Sequence, residues 1–331
     1  MISVIRLVRC TFLGGMIVAA FSLTASAEVK VTLNDFYRPF STSEITPKNM
    51  QSWPYYRYVS MNWDEYGIYG TASVRAAKNP AELTVADIPF DIQQDLRQGQ
   101  TFAESLTATQ TKGFLILKDD IILGEFYDNG FSREQTQLLQ SSSKTYAGII
   151  ASKLIDSGKL GPNANLMAIL AAEITGLPFN KLLSDLFNDF RATSNGSIAL
   201  TVDGTASPSY GISCTLRDYA LFHQWIAQGK APKSFYSSIK NLDKDLLSES
   251  ETGKQLAAAL GTPVAYGSQG WYFPEHTIVY TAGSYGQYGF SDMESGISVV
   301  FMQDWEDNAV AEKLIDTVAR ALFVIEQLGS Q

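Results

Sequence analysis

The sequence predicts an α+β fold in which one antiparallel sheet is split by a helical insert. Two strand-like runs flank turn residues in "GFLILKDDIILGEFYDNG", from position 113. The middle of the chain carries apolar residues at helical spacing, and the C-terminal part returns to alternating strand-like runs before a last amphipathic stretch. Strands at both ends of the domain with helices between them imply a single interrupted sheet.

The first 27 residues predict a secretory signal peptide. Arg6 and Arg9 precede an apolar run over residues 11–20, and a small-x-small cleavage site ends at Ala27. A membrane anchor would need about 20 uninterrupted apolar residues, which this run does not have. We therefore expect a periplasmic or secreted protein that makes no membrane contact after cleavage of residues 1–27.

Composition narrows the classes of partner and chemistry. The formal net charge is −9 and becomes more negative when the two signal-peptide arginines are removed, which argues against nucleic acid as a partner. Cys214 is the only cysteine after Cys10 leaves with the signal, so no intrachain disulfide can form. Two histidines without a cysteine cluster make a metal site unexpected, and no cofactor is predicted.

The mature chain is predicted to consist of two parts that differ in how much regular secondary structure they contain. Residues 28–110 contain the aromatic stretch "NMQSWPYYRYVSMNWDEYGIYG" and predict an irregular segment that packs on a catalytic domain of residues 111–331. That domain begins with the hairpin around Lys118, because turn residues separate its two strand-like runs.

Helices and a second group of strands follow. Tyr146, Ile149, Ile150 and Leu154 recur at helical spacing and predict a helix over 142–157. Further helices are predicted at about 164–175, 178–190 and 215–228, within a helical insert of about 158–240. The run "GWYFPEHTIVYTAGSYGQYGFSDMESGISVVFMQD" predicts an antiparallel meander, and "NAVAEKLIDTVARALFVIEQL" predicts a closing helix.

The stretch "LLQSSSKTYAGII" suggests a nucleophile. On a helix, positions i and i+3 share a face, so Ser141 can touch Lys144 while Ser142 and Ser143 are rotated away. A serine hydroxyl is a weak nucleophile until a neighbour takes its proton, and Lys144 can do so only as a neutral amine. Bringing a lysine pKa of about 10.4 to near 7 requires about 4 to 5 kcal/mol from burial and nearby positive charge. The alternatives are that Lys144 stays charged and assists a second base, or that Ser141 only caps the helix.

Three ordered segments carry a family resemblance. The hairpin with "LLQSSSKTYAGIIASKLIDSGKL", then "GISCTLRDYALF", then "YTAGSYGQYGF" resemble the serine β-lactamase-like hydrolases, in particular the branch of 6-aminohexanoate-dimer hydrolases and related esterases. The likeness covers most of residues 50 to 325. It implies a β-lactamase/transpeptidase-like fold with a shortened helical insert, acylation of Ser141 with Lys144 beside it, and small esters or linear amides as substrates.

The third segment resembles the strand that carries the Lys-Thr-Gly box of β-lactamases. The resemblance implies that Ser284, Tyr285 and Gly286 edge the pocket, and that the backbone N–H of Gln287 pairs with that of Ser141 as an oxyanion hole. Because neither lysine nor histidine stands in this box, a carboxylate-bearing β-lactam would lack a cationic anchor. β-Lactamase activity is therefore the less expected outcome.

A tyrosine that the family uses as base or proton shuttle is missing from its expected place. Where a Tyr-x-Asn or Tyr-x-Ser box belongs, the sequence reads "KLGPNAN". Tyr127 lies in a similar string but precedes the nucleophile. Either Lys144 is the sole base, or a tyrosine from elsewhere, such as Tyr210 or Tyr285, reaches Ser141.

The remaining candidate side chains are predicted to be structural. His223 is expected to pack within a helix, His276 lies in a turn, and Cys214 is expected to be a small buried residue. Arg217 and Asp218 are expected to support a helix start. Two rivals to the hydrolase hypothesis stay open: a non-catalytic or decayed relative, and a penicillin-binding protein that acylates without turnover.

Overall fold

The structure, a computed structural model, describes residues 40, 42–97, 99–161, 174–241 and 250–329. The predicted signal peptide and most of the helix predicted at 164–175 lie outside these residues. None of the described helices combines the length and the apolar character that crossing a bilayer requires.

The described residues form both helices and strands. The helices are α1 Tyr55–Val59, α2 Trp63–Tyr66, α3 Phe102–Ala108, α4 Ser143–Asp156, α5 Phe179–Asp189, α6 Leu216–Ala227, α7 Lys233–Lys240, α8 Glu251–Leu260 and α9 Ala311–Gly329. The strands of the first half are β1 Thr71–Val74, β2 Thr84–Val85, β3 Asp95–Arg97, β4 Gln100–Thr101, β5 Thr111–Lys118, β6 Ile121–Tyr127 and β7 Thr136–Leu138. Those of the second half are β8 Gly196–Ala199, β9 Ile212–Thr215, β10 Ala265–Gly267, β11 Gly270–Phe273, β12 Ile278–Gly283, β13 Gln287–Asp292 and β14 Ser298–Gln303.

The main sheet joins the two ends of the domain. Its strand order is β10-β11-β12-β13-β14-β5-β6-β2, and β14 pairs antiparallel with β5. The predicted hairpin and the predicted meander are therefore neighbours in one sheet, which confirms the α+β prediction of a sheet split by intervening elements. The helices predicted at 142–157, 178–190 and 215–228 are confirmed as α4, α5 and α6.

Both faces of the main sheet are buried. Successive side chains of a strand point to opposite faces, so Leu115 and Leu117 pack in one core while Phe114 and Ile116 pack in another. Helix α6 covers the first face, and α9 covers the second. This two-sided burial explains why β5 reads as a continuous apolar run instead of an alternating one.

A second, smaller sheet was not predicted. Strands β1, β8, β9 and β7 form it in that order, and they are only three or four residues long. Such short strands carry too few residues to show an alternating pattern. The described part of the segment predicted to be irregular, 28–110, is thus more regular than expected, because it supplies β1 to this sheet and β2 to the edge of the main sheet.

Candidate active site

The three consecutive serines each have a different partner. A 3₁₀ turn, Gln140–Ser142, leads into α4, so Ser141 precedes the α-helix instead of lying within it. Ser142 and Ser143 are 1% and 0% exposed, whereas Ser141 is partly open to solvent. Among the three hydroxyls, only that of Ser141 is accessible to a substrate.

Ser141 and Lys144 are in direct contact. Lys144 Nζ lies 2.6 Å from Ser141 Oγ and 3.0 Å from the backbone oxygen of Ser209, which precedes β9. Burial lowers the pKa of Lys144 from its ordinary 10.5 to about 8. The neutral amine is therefore within reach of neutral pH, and at this distance it can accept the hydroxyl proton.

The other two serines anchor the turn. Ser142 Oγ donates to the backbone oxygen of Gln287 at 2.8 Å, which joins the turn to the start of β13. Ser143 Oγ accepts from the backbone N–H of Ile212 at 3.1 Å, which joins it to β9. The loop carrying Ser141 is thus held between the two sheets.

The turn between β12 and β13 lies against the nucleophile segment. An ideal Cβ at Gly283 would come within 2.4 Å of the Leu139 oxygen and 3.2 Å of the Ser142 nitrogen, so only glycine allows this approach. Residues 284–286 then form a second 3₁₀ turn, with φ of 61° at Tyr285 and 92° at Gly286. A Cβ at Gly286 would meet Gln303 and Trp305.

The four site residues that the sequence predicted around this turn differ in their exposure to solvent. Ser284 and Tyr285 are partly exposed, while Gly286 and Gln287 are buried. The Gln287 side chain turns away from the nucleophile and donates to the backbone oxygens of Gln303 and Tyr285. The pocket-edge and oxyanion roles of these four residues remain predictions, because they concern a bound substrate.

No tyrosine hydroxyl of the described residues is hydrogen-bonded to Ser141. Tyr285 stacks on Tyr56 and donates its hydroxyl to the Gln51 oxygen at 2.9 Å. Tyr210 packs edge-on against Trp63. Part of the segment in which the family tyrosine was expected, residues 162–165, lies outside the described residues.

A tyrosine that the sequence did not single out contacts the turn that carries Ser141. Tyr56 is buried, and its hydroxyl accepts from Gln140 Nε2 at 3.3 Å, next to Ser141. Burial raises the pKa of Tyr56 well above its usual range, so this phenol stays protonated. The sequence could not single out Tyr56, because "WPYYRY" contains several aromatic residues and no pattern that distinguishes one of them.

The remaining candidates have structural surroundings. His276 is exposed between β11 and β12, and Cys214 is a fully buried thiol whose pKa is raised by burial. Arg217 makes two hydrogen bonds to the Glu125 carboxylate, at 2.7 and 2.8 Å. Asp218 accepts from the backbone N–H groups of Thr193 and Ser194. Buried His223 belongs to a chain of hydroxyls that the sequence did not reveal.

Comparison with known proteins gives the class. No family model matches the sequence. The structure is similar to that of a Bacillus anthracis protein assigned as a 6-aminohexanoate-dimer hydrolase, with a TM-score of 0.71, 16% identity, and coverage of 87% of this chain and 98% of that one. A β-lactamase from Mycobacterium bovis gives a TM-score of 0.52 at 11% identity, over 68% of this chain and 98% of that one. The fold is therefore that of the β-lactamase/transpeptidase class, as predicted.

Part of the sequence is similar to a curated hydrolase. The chain is 31% identical over 127 residues to the 6-aminohexanoate-dimer hydrolase of Paenarthrobacter ureafaciens, a match that covers 38% of this chain. The match spans 31% of that relative's length. The similarity in fold and in this stretch of sequence agrees with the resemblance found in the sequence.

Proposed function

We propose that this chain is an exported serine hydrolase that forms an acyl-enzyme on Ser141 with small esters or linear amides. The observation that carries the proposal is the 2.6 Å contact between Ser141 Oγ and a partly buried lysine amine whose pKa is lowered to about 8. Similar proteins named as hydrolases support the same reaction class.

The reaction follows from these two side chains. Ser141 Oγ attacks the substrate carbonyl carbon while Lys144 Nζ takes the hydroxyl proton. The C–O or C–N bond to the leaving group then breaks, and the Lys144 ammonium returns the proton to the departing oxygen or nitrogen. Water hydrolyses the ester on Ser141 by the same route, with Lys144 again as the base.

Backbone donors of the neighbouring turn would stabilise the oxyanion. In this proposal, the N–H groups of Ser141 and Gln287 face the carbonyl oxygen, and Ser284, Tyr285 and Gly286 line the substrate's path. Removing one donor from such a site typically raises the barrier by about 2.7 to 4 kcal/mol. Lys144 acts without a tyrosine partner in this scheme.

Intact-mass spectrometry after exposure to a fluorophosphonate tests the nucleophile. We expect one adduct on the wild-type protein, none on Ser141→Ala, and an adduct on Ser143→Ala, which removes a neighbouring but buried hydroxyl. An adduct that persists in Ser141→Ala would overturn the proposal. Two further measurements distinguish an acyl-enzyme that stalls from one that turns over. A stalled acyl-enzyme keeps the label of a fluorescent penicillin, whereas an enzyme that turns over releases p-nitrophenol continuously from p-nitrophenyl esters.

Export is a separate part of the proposal and needs its own measurement. It is supported by the Arg6/Arg9 start, the apolar run and the small-x-small site of the sequence. We expect N-terminal sequencing of the protein expressed from its full reading frame to begin at Glu28, the residue after the cleavage site. An intact Met1 in the fractionated protein would contradict export.

A further inference from the structure

A continuous chain of buried polar side chains runs behind the nucleophile. Tyr219 and His223 lie four residues apart on α6 and face the β12–β13 hairpin. Tyr219 OH lies 3.2 Å from Ser142 Oγ and 2.5 Å from Thr281 Oγ1. His223 Nε2 lies 3.0 Å from Thr281 Oγ1, and its Nδ1 lies 2.8 Å from Ser291 Oγ.

The donors in this chain can be assigned in only one direction. The Gln287 carbonyl can only accept, so the Ser142 hydroxyl donates its one hydrogen bond to that oxygen. Ser142 Oγ must therefore accept from Tyr219 OH. Tyr219 has no second proton, so Thr281 must donate to Tyr219 and must itself accept from His223 Nε2–H. Burial lowers the pKa of His223 to about 3, so its ring is neutral and Nδ1 accepts from Ser291.

We propose that His223, Thr281 and Tyr219 are positioning residues that fix the Ser142 hydroxyl on the Gln287 carbonyl and so hold the β12–β13 turn against the Ser141 loop. This proposal rests on the proposed function, since it concerns the geometry of the same reaction. Five members of the chain, from Ser142 to Ser291, are at most 1% exposed, so water does not replace a lost hydroxyl. Without Tyr219 OH, the Ser142 oxygen loses the donor that fixes its side-chain rotamer, and its bond to the Gln287 carbonyl is weakened.

Two glycines make room for this arrangement. An ideal Cβ at Gly289 would lie 2.1 Å from His223 Nε2, so the imidazole occupies the space that a side chain on β13 would fill. Gly283 allows the end of β12 to meet the Ser142 nitrogen. The glycine spacing of "AGSYGQYGF" thus serves both the contact with the nucleophile loop and the histidine behind it.

Near-isosteric variants test the proposal. Tyr219→Phe and Thr281→Val each remove one hydroxyl from this hydrogen-bonded series, whereas Thr281→Ser keeps the hydroxyl. Ser298→Ala is the control, because it removes a buried hydroxyl of β14 that donates to backbone oxygens outside the series. The rate of p-nitrophenyl ester acylation is measured with each variant, alongside thermal unfolding. We expect kcat to fall about tenfold in Tyr219→Phe and Thr281→Val with KM changed less than twofold, because misplaced catalytic groups lower the rate of the chemical step. Thr281→Ser and Ser298→Ala should stay within twofold of the wild type.

The outcomes separate the two proposals. A wild-type protein that is not acylated at Ser141 overturns the proposed function, and this inference with it. If the wild type is acylated and Tyr219→Phe and Thr281→Val are acylated at the same rate, only the positioning role is overturned. The same conclusion follows if Ser298→Ala loses as much of the acylation rate as these two variants. ¹⁵N NMR of the histidines gives a readout independent of turnover: we expect His223 with a proton on Nε2 and none on Nδ1 across neutral pH, and the opposite tautomer would refute the donor order.

Discussion

Lys144 combines a partly buried amine with a direct contact to Ser141, and in the proposed mechanism its protonation state sets the pH at which the serine can be activated. The neutral amine is the competent base, and its fraction rises as pH rises through a pKa of about 8. At pH 7 only roughly a tenth of the molecules would carry it, since each unit is a factor of ten. Burial therefore moves the pH needed for activity down from about 10.5 to about 8, which is still on the alkaline side of neutrality.

The first prediction concerns the pH–rate profile. We expect kcat/KM for a neutral p-nitrophenyl ester to rise about tenfold per pH unit below pH 8 and to level above it. Lys144→Met should lose a factor of about 10² to 10⁴, the usual contribution of a positioned base. A wild-type profile that is flat between pH 6 and 9 would show that another group takes the proton.

The second prediction is that the same substitution stabilises the folded protein. The pKa of Lys144 is lower in the folded chain than in the unfolded one, so the unfolded state binds more protons between about pH 8 and 10.5. The penalty for the buried charge is complete below pH 8 and disappears as pH rises toward 10.5. Lys144→Met should therefore raise the free energy of unfolding by about 2 to 3 kcal/mol at pH 7 and by less at pH 9.5. Urea titrations at both pH values check this, and a loss of stability at pH 7 would refute it.

At the scale of elements, α4 is held in place by the turn between β10 and β11. An ideal Cβ at Gly148 would lie 2.0 Å from the backbone oxygen of Ser268, and Thr145 Oγ1 donates to the Gln269 oxygen at 2.6 Å. Ser268 and Gln269 have φ of 46° and 65°, which brings the turn's carbonyls toward the helix. Lys144 therefore lies on a helix that contacts the far end of the main sheet.

The third prediction follows from this contact. In an exposed helix, Gly→Ala stabilises by about 1 kcal/mol. Gly148→Ala should instead destabilise by about 1 to 3 kcal/mol, because the new methyl group meets a backbone atom that cannot rotate away. Gly161→Ala is the control, since no heavy atom lies within 4 Å of its ideal Cβ, and it should change stability by less than about 0.5 kcal/mol. Equal effects of the two variants would contradict the packing argument.

The elements that the sequence predicted are those with a local signal. Helix α4, the β5–β6 hairpin and the meander each show their own periodicity, and the approach of Ser141 to Lys144 follows from a spacing of three residues. The chain from His223 to Ser142 has no such signal, because its members come from α6, β12, β13 and the nucleophile turn. Ser209 was hidden for the same reason, since it acts through a backbone oxygen that any residue could supply.

At the scale of the whole molecule, a buried charge cluster joins α1 to two neighbouring strands of the main sheet. Asp304, which follows β14, accepts from Lys112 of β5 at 2.7 Å, and Arg57 of α1 lies 4.0 Å from its other oxygen. The three side chains are at most 6% exposed. Burial lowers the pKa of Lys112, and the carboxylate of Asp304 opposes that shift. Lys112 and Asp304 are 192 residues apart in sequence, so no local pattern could reveal the pair.

The fourth prediction tests whether this cluster depends on its one carboxylate. Asp304→Ala should lower the free energy of unfolding by about 3 to 5 kcal/mol, because it removes the carboxylate that lies 2.7 Å from the buried Lys112 amine. Adding Lys112→Met to that variant should recover part of the loss, since the buried amine that lost its carboxylate is removed as well. Asp189→Ala breaks the partly exposed pair with Lys153 and should cost less than about 1 kcal/mol, which makes it the matched control. Urea unfolding of the four proteins decides the matter: if Asp304→Ala costs no more than Asp189→Ala, or if Lys112→Met deepens its loss, the cluster does not stabilise the fold by charge pairing.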